Sequence, residues 1–392
     1  MRVCAAIMAI IVFTLTMGFG LVTLYSVADF DRFINQCMFF GFSLIPAIVV
    51  CFVNPSYWVE KRWRRVALIA LIIVGLLCVH IPGLGKTELK GGIRWINFRC
   101  IGMPWLSFQP SEAVKVAVVI LLSWWMSDPA RKTGNRRELV TKPMIGLGVV
   151  IGGLLLQKDL GSCIMVTAVV VPMMLIGGAR IRHLILWCLP AVLCLSFYMA
   201  SSPARLGRFT TWWKVNITST ARNEEGEETV KEYHPHIAQS RLALKKGKLT
   251  GDGLGSSIYK KEYVPEYETD FILAMIGEEM GFIGIAGVLS LYLMFFMLGC
   301  AAAANASDLF MAFSAFGLTL HICLSAGVNA AMITGIIPTK GLALPFVSYG
   351  GSCLLFSITA AAFVVSICGR AKYRPRRKPN ENFEGGGRLL SN

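Results

Sequence analysis

Runs of apolar residues long enough to cross a lipid bilayer recur along this chain, separated by short polar connections and one long one. A spanning helix needs about 20 mostly apolar residues. A soluble fold can bury one or two such helices, but not this many. Composition agrees: 55% of the 392 residues are hydrophobic and only 16% are charged, where a soluble domain carries roughly a quarter charged. The mean hydropathy of +0.60 has the same cause. The first run, from about Cys4 to Val27 behind Arg2, resembles a signal peptide in outline. It has no small-residue cleavage site and reads as a retained span.

The pattern predicts an all-α, polytopic membrane protein of about ten transmembrane helices. They fall near 4–27, 34–53, 66–82, 110–126, 144–157, 162–179, 184–201, 269–299, 309–335 and 350–368. Basic clusters sit on alternating connections: Lys61 to Arg65, then Arg131, Lys132, Arg136 and Arg137, then Arg180 and Arg182, and last the tail from Arg370 to Lys378. Lys and Arg hold short loops in the cytoplasm, so this side and both termini are expected there. The net charge of +15 is thereby explained without nucleic acid. Residues 1–370 form one membrane domain, and 371–392 a basic cytoplasmic tail of disordered composition. The opposite side receives 83–109, the long extracytoplasmic loop 202–268 between spans seven and eight, and 336–349. The twelve cysteines mostly lie in apolar stretches, have neither disulfide nor zinc spacing, and read as small buried residues. No metal site is expected.

Three segments on that outer side carry more than turn chemistry. The first holds Arg94-Trp95-Ile96 and Gln109-Pro110-Ser111-Glu112 with Lys115. Pro110 suits the first position of a helix, and Glu112 and Lys115, three apart, neighbour each other on its face. A self-neutralising ion pair accounts for them as well as a site does. The second holds Gln239-Ser240, Gly251-Asp252-Gly253-Leu254-Gly255, Glu262, Thr269-Asp270 and Glu278-Glu279. Its glycines permit close backbone approach to a ligand. Asp270 stands where a polar loop meets an apolar span, an environment that suits a general base. Its competing role is to stabilise a helix start, with Thr269 as the cap. Glu278 and Glu279 follow in the apolar run, where acids are functional or paired with lysine or backbone. The third runs from Asn329 through Pro338-Thr339-Lys340-Gly341 to Ser348 and Ser352. Backbone broken by prolines and glycines at membrane depth lines a cavity or is buried in protein. Lys340 suits a phosphate there, or it snorkels.

Taken in order, Arg94-Trp95-Ile96, Gln109-Pro110-Ser111-Glu112 with Lys115, Asp159-Leu160-Gly161, Arg205 with Arg208, Pro265-Glu266 through Phe271, Gly277-Glu278-Glu279 and Pro338 through Ser352 resemble the shape, elongation, division and sporulation family of membrane glycosyltransferases. The likeness covers essentially all ten spans. Pro338-Thr339-Lys340-Gly341 looks like the division (FtsW-like) and sporulation branches rather than the elongation branch. Departures are visible. The family's usual Gln-Pro-Asp-Leu-Gly-Thr reads Gln157-Lys158-Asp159-Leu160-Gly161-Ser162, its usual histidine two before the key aspartate is Glu268, and 221–235 is unusually acidic.

The resemblance implies polymerisation of lipid II, undecaprenyl-pyrophosphate-linked disaccharide-pentapeptide, into glycan strands for septal wall. It implies Asp270 as the catalytic base. Arg94, Lys340, Glu262, Arg205, Arg208, Gln239, Ser240 and Ser348 would bind the sugar and pyrophosphate. Glu112, Lys115, Asp159, Glu278 and Glu279 would be supporting polar residues within the membrane domain. No cofactor is required by this reading, and a divalent cation stays open. Expected partners are lipid II, a class B penicillin-binding protein transpeptidase, other cell-division proteins and membrane lipid, with no nucleic acid. Two other classes compete: a lipid II flippase and a non-catalytic division scaffold. Polar motifs confined to one side favour the enzyme.

Overall fold

The computed structural model describes residues 2–81, 85–87, 93–98, 103–128, 136–200, 206–207, 210, 212–213, 235–258, 266–338 and 341–370. Each of the ten apolar runs is helical over most of its length. The helices are α1 (Arg2–Val27), α2 (Phe30–Phe52), α4 (Arg62–Cys78), α5 (Pro110–Ser127), α6 (Arg136–Leu156), α7 (Leu160–Ile176), α8 (Ile181–Ala200), α10 (Ile272–Ala304), α11 (Leu309–Ile333) and α12 (Gly351–Arg370). Two further helices lie outside the runs, α3 (Tyr57–Glu60) and α9 (Pro235–Gly247). By length and composition six of the described helices can cross a bilayer: those within 5–27, 30–52, 139–156, 272–304, 309–333 and 351–370.

Burial orders the bundle. The apolar windows of α11 and α12 are 67% buried, against 28% in α1 and 22% in α2. The first two therefore form the centre, with Leu318, Ile322, Ala360 and Ile367 fully enclosed. On α1 and α2, Ile11, Leu15, Val22, Ile45 and Ile48 are about half exposed. Large aliphatic side chains turned outward along whole helices fit a lipid surface better than water. Helix α12 packs on α2, and α10 on α11.

Helix ends follow local chemistry. Pro110 opens α5 behind an extended Gln109, because its missing N–H would be unsatisfied at that position anyway. Asp159 caps α7, accepting from the Ser162 N–H at 3.1 Å and from its hydroxyl at 2.7 Å. Asp308 caps α11, accepting from the Met311 N–H at 2.8 Å.

Two features depart from the expected all-helical chain. Three short antiparallel strands, β1 (Gly85–Thr87), β2 (Ile93–Phe98) and β3 (Met103–Phe108), form a sheet in the order β1-β2-β3 within 83–109. β2 pairs Trp95 with Lys86 and Asn97 with Ser107. Its β-branched and aromatic residues favour strand, but a six-residue run inside a glycine-punctuated loop gives too little alternation to be read beforehand.

The second departure is a break in α10, where the apolar run 269–299 predicts one continuous span. Gly281 has φ 65° and ψ −163°. A Cβ there would lie 2.4 Å from the Leu249 carbonyl oxygen and 2.5 Å from the Gly251 nitrogen. Only glycine fits. The break frees backbone groups, and 248–253 uses them. Phe282 N–H donates to Lys248 O at 3.0 Å, Asp252 N–H to Glu278 O at 3.1 Å and Gly253 N–H to Glu279 O at 2.9 Å. The close approach that Gly251 allows is thus to the α10 backbone, since a Cβ on it would meet Glu279 O at 2.2 Å.

Candidate active site

Asp270 sits on the turn 266–270 that leads into α10. Glu266, at φ 61°, turns its carbonyl to accept from the N–H groups of Thr269, Asp270 and Phe271 at 3.1, 3.1 and 3.3 Å. Thr269 does not cap the helix. Its hydroxyl donates back to the Glu266 carbonyl and carboxylate, and its carbonyl accepts from the Ser348 hydroxyl.

The turn is laced to the segment 341–350. Tyr349 N–H donates to Glu268 O at 2.9 Å. The Asn329 side chain, on α11, donates to Asp270 O and to Leu342 O, both at 2.8 Å. Asp270 Oδ2 stands 3.1 Å from where a Cβ on Gly341 would lie. A side chain there would crowd the carboxylate, so glycine leaves its face open. Ser348 also accepts from Leu344 N–H at 2.7 Å, which closes the 344–348 turn. The second and third motif segments therefore form one structural unit around Asp270.

The first segment joins the same unit. Gln109 N–H donates to the Ser352 hydroxyl at 3.0 Å. One turn into α5, Lys115 Nζ meets Glu112 Oε1 at 2.7 Å, with both side chains largely buried (6% and 12% exposed). Burial of a cation is costly unless it is paired, and Glu112 supplies the pairing. The Cys353 thiol lies within electrostatic reach of Glu112, Lys115 and Asp270. Gly161, just past the Asp159 cap, packs toward Leu342. Arg94 on β2 donates to Lys158 O at 2.7 Å, which puts its guanidinium at the turn before α7.

The other sequence candidates stand elsewhere. Ser240 on α9 donates to Ile333 O at 3.2 Å, and Gln239 is half-buried beside it. Glu278 accepts from Lys246 Nζ at 2.8 Å, from Ile258 N–H at 3.0 Å and from the Ser257 hydroxyl. Glu279 accepts from Ser26 at 2.6 Å and from Gly255 N–H at 3.2 Å. Both acids are buried, and their contacts are those of the competing account, pairing with lysine and backbone. They anchor 246–258 to α10. Lys340, Glu262, Arg205 and Arg208, like the tail 371–392, lie outside the described residues. Among the described residues no three His, Cys, Asp or Glu side chains gather as metal ligands would.

Sequence reasoning missed two polar residues of α2. Arg32 Nη1 donates to Glu268 Oε2. Gln36, one turn on, donates to Ser348 O at 3.1 Å and accepts from Gly350 N–H at 3.2 Å. The available signal was polar spacing of four at the start of an apolar run. Around them the two phenols stay neutral. Burial, then the neighbouring Glu268, pushes Tyr267 up to about 12, and burial raises Tyr349.

Comparison with known proteins now bears on this geometry. The model of the cell cycle protein family that groups FtsW, RodA and SpoVE matches residues 1–373. The chain belongs to that family. Among its relatives, a probable peptidoglycan glycosyltransferase FtsW of Geobacter sp. (strain M18) is 34% identical over 81% of this chain and 82% of its own length. Stage V sporulation protein E of Bacillus subtilis (strain 168) is 30% identical over 94% of this chain and 98% of its own. In fold the chain is similar to a solved peptidoglycan synthase complex chain, with a TM-score of 0.66 and 22% identity over 92% of this chain and 96% of that one. It is also similar to Thermus thermophilus RodA, with a TM-score of 0.63 and 22% identity over 94% and 97%. With this membership and six helices apolar enough to span a bilayer, the family member described here is an integral membrane protein.

Proposed function

We propose that this protein is a peptidoglycan glycosyltransferase that polymerises lipid II at the outer face of the inner membrane during septal wall synthesis. The observation that carries the reading is the lacing of the Asp270 turn to 341–350 through Asn329, Ser348 and Tyr349, in a chain of this family. Ten spans with both termini in the cytoplasm put this unit outside, where lipid-linked sugars are polymerised.

In the proposed reaction the acceptor's sugar hydroxyl attacks the donor's anomeric carbon. Its proton passes to the Asp270 carboxylate as the new glycosidic bond forms. The bond from that carbon to the pyrophosphate breaks, and undecaprenyl pyrophosphate leaves with its electron pair. Lys340, next in sequence to the Gly341 that faces Asp270, supplies positive charge to this leaving group, with Arg94, Arg205 and Arg208 lending more. Glu262 serves the sugars, and Ser348, whose hydroxyl bonds Thr269 O and Leu344 N–H, serves the site's shape. The buried Glu112–Lys115 pair and the Asp159 cap hold α5 and α7 beneath. The outward apolar faces of α1 and α2 meet lipid. A class B penicillin-binding protein is the proposed partner, because a solved chain of similar fold belongs to a peptidoglycan synthase complex that coordinates polymerization and crosslinking.

Purified protein given labelled lipid II, alone and with its co-purified transpeptidase, tests this directly. Glycan ladders are expected. Lipid II moved across vesicles without polymer would favour a transporter instead.

A further inference from the structure

The turn that carries Asp270 is tied on one side to α11 and 341–350. On its other side stands α2, near the end of the chain most distant in sequence. Arg32 and Gln36 are four residues apart on α2 and so share one helix face. Arg32 pairs with Glu268, on the Asp270 turn. Gln36 bonds Ser348 O and Gly350 N–H, on the facing segment. One face of one helix therefore grips both halves of the site.

The two grips differ in chemistry. Gln36 makes neutral bonds to backbone, each of modest net strength. Glu268 is an enclosed carboxylate, its side chain 2% exposed, while Arg32 is 52% exposed. A buried carboxylate without a counter-charge is strongly unfavourable, so the position of Glu268 is governed by where the guanidinium stands. The other groups facing this pair are Asp29, Tyr267 and Tyr349, and both phenols stay neutral as described above. Asp270 follows Glu268 by two residues, and its own backbone is gripped by Asn329 from the far side. A displacement of Glu268 is passed to Asp270 through two peptide units.

We infer that Arg32, acting through Glu268, is a positioning residue that sets the Asp270 turn against the 341–350 segment for glycosyl transfer. This rests on the reading of Asp270 as the base. Arg32 touches neither sugar nor pyrophosphate in this role. It governs geometry, to which rates are steep: about 1 Å of misplacement costs on the order of 100-fold.

The experiment compares the full chain, reconstituted with its transpeptidase, as parent, Arg32→Lys, Arg32→Ala, Arg32→Ala/Glu268→Gln and Asp270→Asn. Polymerisation rate at saturating lipid II, half-saturating lipid II concentration and melting temperature are measured on each. Arg32→Ala should lower the saturated rate by at least about tenfold, with half-saturation within about twofold. Arg32→Lys should recover most of the loss. The double variant removes the stranded charge, so it should melt like the parent yet stay slow. It also serves if Arg32→Ala fails to fold. A double variant that regains rate together with melting temperature reduces the pair to a structural tie and overturns the inference. So does an Arg32→Ala change confined to half-saturation, which would make Arg32 a substrate contact. Asp270→Asn reads the premise separately: polymer from that variant removes the base itself, whatever Arg32 does.

Discussion

Asn329 donates both hydrogens of its side-chain amide within the site, one to the carbonyl of Asp270 and one to that of Leu342, each at 2.8 Å. A single buried side chain thus spans the two chain segments that face each other across the candidate centre. One backbone hydrogen bond, from Tyr349 N–H to Glu268 O at 2.9 Å, joins the same two segments beside it.

Asn329→Ala removes the side-chain donor that bonds the carbonyls of both Asp270 and Leu342. Each buried, unpaired polar group costs about 1–3 kcal/mol. The variant should melt measurably below the parent and polymerise at least about tenfold more slowly, because Asp270 loses its anchor. Equal rates and equal melting curves would show that the bridge is dispensable.

Gly281→Ala asks whether the break in α10 is required. The alanine would face φ 65° and three backbone atoms within 2.5 Å. The conformational term alone is roughly 1–2 kcal/mol, and the contacts add to it. The expected outcome is a lower melting temperature together with faster protease cleavage between 235 and 258, because that segment docks on the break. Cleavage at the parental rate would mean that α10 straightens without cost.

Lys246 provides a pH test whose sign is fixed. Its hydrogen bond to Glu278, reinforced by Asp252 at 3.1 Å, raises the ammonium above its ordinary 10.5. A group with a raised folded value stabilises fully below its unfolded value and loses that contribution as pH climbs through the folded one. The melting-temperature gap between parent and Lys246→Met should therefore stay constant from neutrality to about 10.5 and shrink only above it. A gap that closes near pH 7 would contradict the assignment.

Reporter fusions at Gly134 and Glu228 test the proposed topology. The basic connections alternate along the chain, so Gly134 should report cytoplasm and Glu228 the outside. The same side for both removes the ten-span arrangement.

How much of this could be read from the sequence depended on the range of each interaction. Pro110 at a helix start and the Glu112–Lys115 pair are contacts within one turn, and residue type with spacing is enough to find them. The apolar runs were legible because bilayer thickness imposes a length. Arg32–Glu268 was not, since its partners are separated by most of the chain and Arg32 lies just ahead of the apolar run 34–53, in the first turn of α2. The α10 break hid for a related reason. Gly281 looks like any glycine of a membrane helix until the 248–253 backbone is placed against it. Glu278 and Glu279 were accordingly read by depth in a straight helix, whereas the break turns them toward the loop they anchor. Asp270, Ser348 and Asn329 were each singled out, but their assembly is a tertiary fact.

The central claim stands on the Asp270 carboxylate as proton acceptor, and Asp270→Asn measures it most directly. Asparagine keeps the size and the backbone bond to Asn329 but cannot take the acceptor hydroxyl's proton. Glycan product from labelled lipid II and melting temperature should be recorded on the same preparations of parent and variant. The account predicts an unchanged melting temperature with polymerisation reduced by roughly 10²–10⁴-fold, the range for loss of a general base. Near-parental polymer from Asp270→Asn, or a loss of polymer matched by a loss of fold, would contradict it.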